Sequence, residues 1–331
     1  MIDTAQLPSD SARHRILTLA RHEYRAAVRN RILLALIAIL VIVTAASVYV
    51  ATASYRSKLA DYEAYRAAAE AGGLQRIAPS PLRLLSLLEG AVEYLGIIGA
   101  IIGIALGYLT VSRERTNKTL PLLRSRPVSP GEMAAGSALG ALAVIGTLVA
   151  ATAVMAVLCL GLIGNDWVDG AQTVRLLLIY VSAAVYMGVF YCLGAIMTAR
   201  SEVAVNGLMF ALGIWLIVVL ILPQIGDTLD ADNQVPGGLF AALTLNRADE
   251  TTVLKKFSTY ETIRRDVEEA SFSKHFERFA FAMADVHEKY RGLTLSELLG
   301  KKHNDIIWLI VYPLVLGCAL VVAFRRMSVT T

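Results

Sequence analysis

The sequence predicts an all-α polytopic membrane protein with six transmembrane helices. Hydrophobic residues make up 56% of its 331 residues and the mean hydropathy is +0.57, whereas soluble domains contain roughly 45–50% apolar residues. Crossing a bilayer takes about 20 apolar residues, and backbone groups inside lipid must bond to one another, which favours helices. The six segments that meet this length are Ile32–Ala53, Leu85–Val111, Met133–Ile163, Val174–Met197, Val203–Leu222 and Ile306–Phe324.

Residues 1–31, which precede the first span, are predicted to contain an amphipathic helix lying in the membrane interface. Apolar side chains recur at helical spacing from residue 16, and arginines occupy the other faces. These apolar positions are Ile16, Leu17, Ala20, Tyr24 and Ala27. The alternative for this region is a solvated basic tail.

The charge distribution predicts the orientation. If the spans alternate, segments 1–31, 112–132, 198–202 and 325–331 share one side and carry fourteen Lys and Arg against six Asp and Glu. The positive-inside rule places such segments in the cytoplasm. We therefore expect a protein of the cell (inner or cytoplasmic) membrane with both termini in the cytoplasm. Residues 32–222 then hold spans one to five, and residues 306–331 hold the sixth span and a cytoplasmic tail.

The second span carries an ordered stripe of small and acidic residues. Successive members are three or four positions apart, so they share one helical face. They are Glu89, Glu93, Gly96, Gly99, Gly103 and Gly107. Glycines at this spacing let another backbone approach closely, either within the chain or across a dimer. Carboxylates at membrane depth face a cavity or a partner more often than lipid, so Glu89 and Glu93 are candidates for a pathway; the alternative is a hydrated helix end.

Residues 223–305 are predicted to form an extracytoplasmic helical insertion between spans five and six. Apolar residues recur at helical spacing from Leu254 to Tyr290, and the phase slips near Ser271–Ser273. We therefore expect two helices or one broken helix. Thr294-x-x-Glu297 is a capping-box pattern that opens a short helix before the sixth span.

The residues that would support catalysis or metal binding are not arranged in a known motif. The sequence contains no phosphate-binding loop, no His-Glu-x-x-His, no Cys-x-x-Cys and no nucleophile elbow. Its three cysteines, Cys159, Cys192 and Cys318, all fall in apolar spans, where packing is their expected role. His275, His287 and His303 are expected on solvated helix faces, and no metal site is predicted. Any nucleotide hydrolysis must come from another chain.

Residues 112–132, SRERTNKTLPLLRSRPVSPGE, form a basic loop between spans two and three. A charged exit at Arg113, Glu114 and Arg115 is followed by an apolar patch, a rigid turn and Glu132, which begins the next helix. Such an amphipathic segment is suited to docking onto a cytoplasmic protein. The simpler interpretation is a positively charged stop signal.

This loop resembles the coupling segment of type 2 membrane subunits of ABC transporters. The matching residues are Glu114-Arg115, Thr119-Leu120, Leu122-Leu123, Ser125-Arg126-Pro127-Val128-Ser129 and Glu132. The loop departs from the family pattern at Asn117-Lys118, Pro121, Arg124 and Pro130. Six spans and an amphipathic helix before the first also agree with that family. Within it, the chain looks most similar to the group associated with multi-copper enzyme maturation, which includes the permease for nitrous-oxide reductase assembly.

The resemblance implies a transporter subunit that is not itself an enzyme. Two permease copies would pair with two cytoplasmic ATPase subunits, which would hold ATP and magnesium, and their closure would push on residues 113–129. The result would be substrate export or force transmission to a periplasmic partner; no nucleic-acid partner is implied. Two other classes remain open: a non-transporting anchor or sensor that reads the external helices, and a secondary transporter, although inverted repeats are not evident.

Overall fold

The computed structural model describes residues 12–72, 83–116, 129–229, 258–287 and 292–330, together with Leu243 and Tyr290. All regular secondary structure in this part of the chain is helical. We number the α-helices in chain order: α1 (Ala12–Val28), α2 (Arg31–Ala71), α3 (Glu89–Thr116), α4 (Pro130–Leu162), α5 (Gly170–Arg200), α6 (Ala204–Trp215), α7 (Leu222–Leu229), α8 (Ser258–Ala270), α9 (Phe272–Met283), α10 (Leu295–Lys301) and α11 (His303–Thr330). A 3₁₀ turn, Leu85–Leu88, leads into α3, and a π-helix, Leu216–Ile221, joins α6 to α7.

Six described segments are long and apolar enough to cross a membrane, which confirms the predicted fold class. They are Arg31–Ala71, Leu85–Arg115, Pro130–Leu162, Gly170–Arg200, Ala204–Gly226 and His303–Arg326. Each contains most of one predicted span. The first is much longer than predicted: its 41 residues extend about 60 Å, twice the hydrocarbon thickness of about 30 Å. Its C-terminal part therefore projects beyond the bilayer.

Helix α5 is the centre of the bundle. It packs most extensively on α3 and also contacts α4, α6, α9 and α11. Two of its tyrosines, Tyr186 and Tyr191, are fully buried. The contact with α3 depends on small residues, because a Cβ atom at Gly103 would collide with the carbonyl oxygen of Met187 and one at Gly107 with that of Tyr191. The backbones of α3 and α5 therefore approach as closely as glycine allows.

The segment between spans five and six enters the bundle. Helices α8 and α9 are separated by a break at Ser271, as the phase slip predicted. Helix α9 is buried against α3, α5 and α11. Its Phe272 and Phe276 stack on Tyr186, with ring centroids 5.4 and 4.6 Å away. Tyr186 lies about 24 Å along α5 from Gly170, near the middle of that helix. The break between α8 and α9 therefore reaches deep among the spans.

Polar side chains near this break bond to the interrupted fifth span. The hydroxyls of Ser271 and Ser273 donate to the carbonyl oxygen of Val218, at 2.7 and 3.1 Å. Val218 lies in the π-helix, where the regular i to i−4 bonding is altered. The hydroxyls thus provide hydrogen bonds for a backbone group that lies among apolar helices.

The prediction that His275 lies on a solvated helix face is wrong. His275 is fully buried; its Nδ1 is 2.8 Å from Asp305 Oδ1, and its Nε2 is 3.0 Å from the carbonyl oxygen of Glu269. The reason is the insertion of α9 into the bundle, which carries its polar face against α11. The predicted capping box is confirmed: Thr294 caps α10, and Glu297 bonds back to the Thr294 amide at 2.8 Å.

Candidate functional site

The ends of α3 and α4 that flank residues 117–128 meet α1, and we call this region the coupling end. Helix α1 packs across the start of α4, and Gly136 and Gly140 are the residues of α4 that it contacts most closely. A Cβ atom at Gly136 would be 2.6 Å from Leu19 Cβ, and one at Gly140 would be 2.5 Å from Glu23 Cβ. The spacing of four places both glycines on one face of α4, so α1 can lie directly on its backbone.

An ion pair joins α1 to the end of α3. Arg113 donates from Nη2 to Glu23 Oε2 at 2.6 Å, and the Thr110 hydroxyl donates to the same oxygen at 3.2 Å. Burial raises the pKa of Glu23, and the charge of Arg113 opposes that rise. Glu114 follows Arg113 and interacts electrostatically with both members of the pair. Losing one partner would leave the other charge partly desolvated, which is costly.

A second ion pair joins α1 to the start of α4. Arg15 donates from Nη2 to Glu132 Oε1 at 2.6 Å. Glu132 also completes a capping box: its Oε2 accepts from the Ser129 amide at 2.8 Å, and its own amide donates to Ser129 Oγ at 3.2 Å. One carboxylate thus fixes the first turn of α4 and binds α1.

Arg115 links α3 to the turn between α5 and α6. Its guanidinium donates to the carbonyl oxygens of Ala199, at 2.7 Å, and Ser201, at 2.6 Å. The last carbonyls of a helix have no intrahelical partner and carry partial negative charge. A cation at this position both satisfies and stabilises the end of α5. The coupling end therefore contacts four of the spans or their termini.

The structure brings together five of the thirteen predicted coupling residues: Arg113, Glu114, Arg115, Ser129 and Glu132. The other eight, Thr119, Leu120, Leu122, Leu123, Ser125, Arg126, Pro127 and Val128, lie outside the described residues. Their role in docking stays a prediction.

The glycine stripe of α3 contacts other helices of the same chain. A Cβ atom at Gly96 would be 3.7 Å from Phe276 of α9, and one at Gly99 would be 3.3 Å from Met187 of α5. Gly103 and Gly107 continue the same contact along α5. A dimer interface along these glycines would require α3 and α5 to separate. Glu89 and Glu93, by contrast, line a cavity of about 460 Å³ between α2 and α3.

Three residues of the coupling end were not predicted from the sequence. Gly136 and Gly140 show the same small-xxx-small spacing that drew attention to α3, so a search of the third span would have found them. Glu23 is the one acidic residue within α1. It falls on the buried side together with Ala20 and Ala27, whereas the predicted apolar residue Leu17 is 64% exposed. An acid on the buried face of a basic helix is a signal that a partner cation is near.

Within the described residues, no group of three or more His, Cys, Asp or Glu side chains is placed to hold a metal ion. The cysteines Cys159, Cys192 and Cys318 are free thiols.

No curated protein sequence matches this chain. The family described as "ABC-2 family transporter protein" matches residues 17–329, which is nearly the whole length and includes all six spans and most of α1. The architecture of six apolar helices agrees with a membrane permease component. The chain therefore belongs to the ABC-2 family of transporter proteins.

Proposed function

We propose that this chain is the permease subunit through which a separate cytoplasmic ABC ATPase drives export, or transmits force to a periplasmic partner. Membership of the ABC-2 family supports a permease with an ABC ATPase partner in general. The finer part of the proposal is where the force enters. We assign its entry to residues 113–132, together with α1.

The observation that carries the proposal is the pair of ion pairs from α1. Glu23 holds Arg113 at the end of α3, and Arg15 holds Glu132 at the start of α4, each at 2.6 Å. Both flanks of the coupling segment are therefore fastened to one helix that crosses the start of α4 closely. A displacement of the segment would move α1, α3 and α4 together, rather than bending the segment alone.

Arg115 extends this connection to the core. It binds the last carbonyls of α5, the helix at the centre of the bundle. Since α5 also contacts α9 and α11, a push at the coupling end has a continuous packed route to the opposite end of the molecule. Two discrete arrangements of this route would be needed for alternating access.

The remaining features of the proposal follow from charge and family. We place both termini and residues 113–132 in the cytoplasm, and ATP with magnesium on the partner ATPase. We place the chain between spans five and six on the opposite side of an inner membrane, except for α9, which packs among the spans. Two permease copies would form the working unit. Placement in the multi-copper enzyme maturation group rests on the loop resemblance alone and leaves the substrate unspecified.

The test is coupling of ATPase activity in a reconstituted complex. The partner ATPase should co-purify with the wild-type chain, and its turnover should depend on the permease. Glu23→Gln and Arg113→Gln should each lower this permease-dependent turnover by about tenfold, the effect of losing roughly 1.4 kcal/mol of coupling. Arg21→Gln is the matched control, because Arg21 lies on the same helix but is exposed.

Two outcomes would contradict the proposal. If no ATPase co-purifies, the anchor or sensor class becomes the better description. If Glu23→Gln behaves like Arg21→Gln while the complex assembles, the force does not pass through α1.

A further inference from the structure

The cavity between α2 and the start of α3 is lined by charged and hydroxyl side chains. Its volume of about 460 Å³ lies in the range of roughly 300–1,000 Å³ typical of small-molecule sites. Its polar lining residues include Ser47, Ser54, Lys58, Arg83, Glu89 and Glu93. Two cations and two carboxylates thus line one partly open cavity at the edge of the spans.

The two carboxylates are exposed to this cavity. Glu89 and Glu93 are one helical turn apart on α3, and neither has a hydrogen bond or ion pair to a described residue. Like charges at this spacing repel each other, and carboxylates within a spanning helix are costly unless a partner compensates them. Lys274 of α9 already acts electrostatically on Glu93, and a positively charged group placed between the two carboxylates would add to that compensation.

The cations lie on the other side of the same space. Lys58 is exposed and has no partner among the described residues. Arg83 is partly paired within the chain: its Nη1 donates to the carbonyl oxygens of Asp285 at 2.6 Å and His287 at 3.2 Å, and it lies 3.7 Å from Asp285 Oδ1. Arg83 also lines the cavity, so an anionic group of a ligand would add a charge-assisted contact to these.

The charges are separated along the cavity. Ser47 lies beside Gly90, where an added Cβ atom would contact its hydroxyl. Lys58 is eleven residues beyond Ser47 in α2, and Arg83 precedes Gly90 by seven residues. Both cations therefore lie towards the projecting end of α2, whereas Glu93 lies deeper among the spans. A matching ligand would carry a positive group at its inner end and a negative group at its outer end.

We propose that this cavity binds a zwitterion, with an ammonium group between Glu89 and Glu93 and a phosphate or carboxylate at Lys58 and Arg83. The ligand chemistry has two sources: the headgroup of an amphiphile or a free soluble zwitterion. The proposal concerns binding alone, so it stands or falls separately from ATPase coupling.

The experiment measures binding to the purified full-length chain in a nonionic detergent, by calorimetry. The probes are dihexanoyl-phosphatidylethanolamine, dihexanoyl-phosphatidylglycerol, which has the phosphate but no ammonium, and free phosphoethanolamine, which has no acyl chains. The ethanolamine lipid should bind about tenfold more tightly than the glycerol lipid, because only it can pair with the carboxylates. Equal binding of lipid and free phosphoethanolamine would identify a soluble zwitterion as the ligand; weaker binding of the free compound would identify an amphiphile.

The variants separate the two charges of the ligand. Glu89→Gln and Glu93→Gln keep the side-chain shape and should each weaken binding of the ethanolamine lipid about tenfold, while binding of the glycerol lipid stays unchanged. Lys58→Gln should weaken binding of both lipids to a similar extent. Glu63→Gln, an exposed site on α2 outside the cavity, is the control and should change neither. Equal wild-type affinity for the two lipids, absence of saturable binding, or unchanged binding in both carboxylate variants would overturn the proposal.

Discussion

The two ends of the bundle are held together by different kinds of contact. At the coupling end, Glu23 and Glu132 each make an ion pair with a single arginine, and the two carboxylate side chains are 11% and 12% exposed. At the opposite end, which we call the α9 end, Asp305 is similarly buried, at 9% exposed, but contacts three cationic or titratable side chains. These three residues are His275, Arg278 and Lys302.

The aromatic contacts reinforce this difference. Aromatic rings join three helices between the α9 end and the middle of the bundle: Phe272 of α9 stacks on Tyr186 of α5 and makes a tilted contact with Tyr312 of α11. The coupling end relies instead on glycine contacts and single ion pairs, which can be broken separately. We infer that the α9 end is a fixed support, and that the coupling end is built from parts that can rearrange. The following predictions test this contrast, from the largest expected effect to the smallest.

Removing the shared carboxylate of the α9 end should be the most damaging change. Asp305→Ala leaves three side chains without their common partner, and breaking a buried charge network costs about 3–5 kcal/mol. Thermal unfolding in detergent should therefore show a large loss of stability. Asp61→Ala, on the exposed part of α2, serves as the control. A loss no greater than that of the control would remove the distinction between the two ends.

Separating α3 from α5 should have the next largest effect. Gly107→Leu places a side chain against the backbone of Tyr191 and Ala195, and overpacking of this kind costs about 1–3 kcal/mol. Gly146→Leu is the matched control because nothing lies within 4 Å of its Cβ position. The same unfolding assay should distinguish the two. If both variants were equally stable, close backbone contact would not be what holds these helices together.

Breaking the cap of α4 should cost less. Ser129→Ala removes the acceptor of the Glu132 amide but leaves Arg15–Glu132 in place, and loss of such a cap costs about 1 kcal/mol. We expect a small fall in stability and faster hydrogen exchange in the first turn of α4. Faster exchange throughout α1 as well would show that the ion pair depends on the cap.

The smallest effect should be a pH response of α10. Hydrogen bonds from the Thr294 amide and hydroxyl lower the pKa of Glu297 below its ordinary value of 4.5. The ionised form is thus favoured in the folded state, so this contribution is complete above that value and is lost as the pH falls through the folded pKa. The protection factors of residues 295–301, which correct the observed hydrogen exchange for its intrinsic slowing in acid, should fall on acidification. The same response in Glu297→Gln, which cannot titrate, would assign it to another group.

The orientation of the two ends can be tested by thiol labelling in intact cells. In a background without native cysteines, Ser258→Cys should react with an impermeant reagent and Ser129→Cys should not, because the basic segments are expected in the cytoplasm. Labelling of Ser129→Cys but not of Ser258→Cys would show that the protein has the opposite orientation in the membrane.

Much of the architecture follows from local sequence patterns. Hydropathy alone located all six spans, because each apolar run must form its own backbone hydrogen bonds in lipid. The break at Ser271 and the cap at Thr294 were also predictable, since helical phase and capping boxes depend on residues within one turn. The coupling segment was predicted from residues that are contiguous in the chain, and its role stays a prediction.

The partners of these elements were decided by the tertiary structure. No local pattern indicates that Glu23 meets Arg113, ninety residues away, or that the glycines of α3 lie on α5. The burial of His275 likewise depends on α9 entering among three spans. The sequence of α9 by itself indicates only an amphipathic helix. Such pairings depend on which faces of distant helices fit together. Hydropathy and periodicity describe each helix separately, so they do not predict which helices pair.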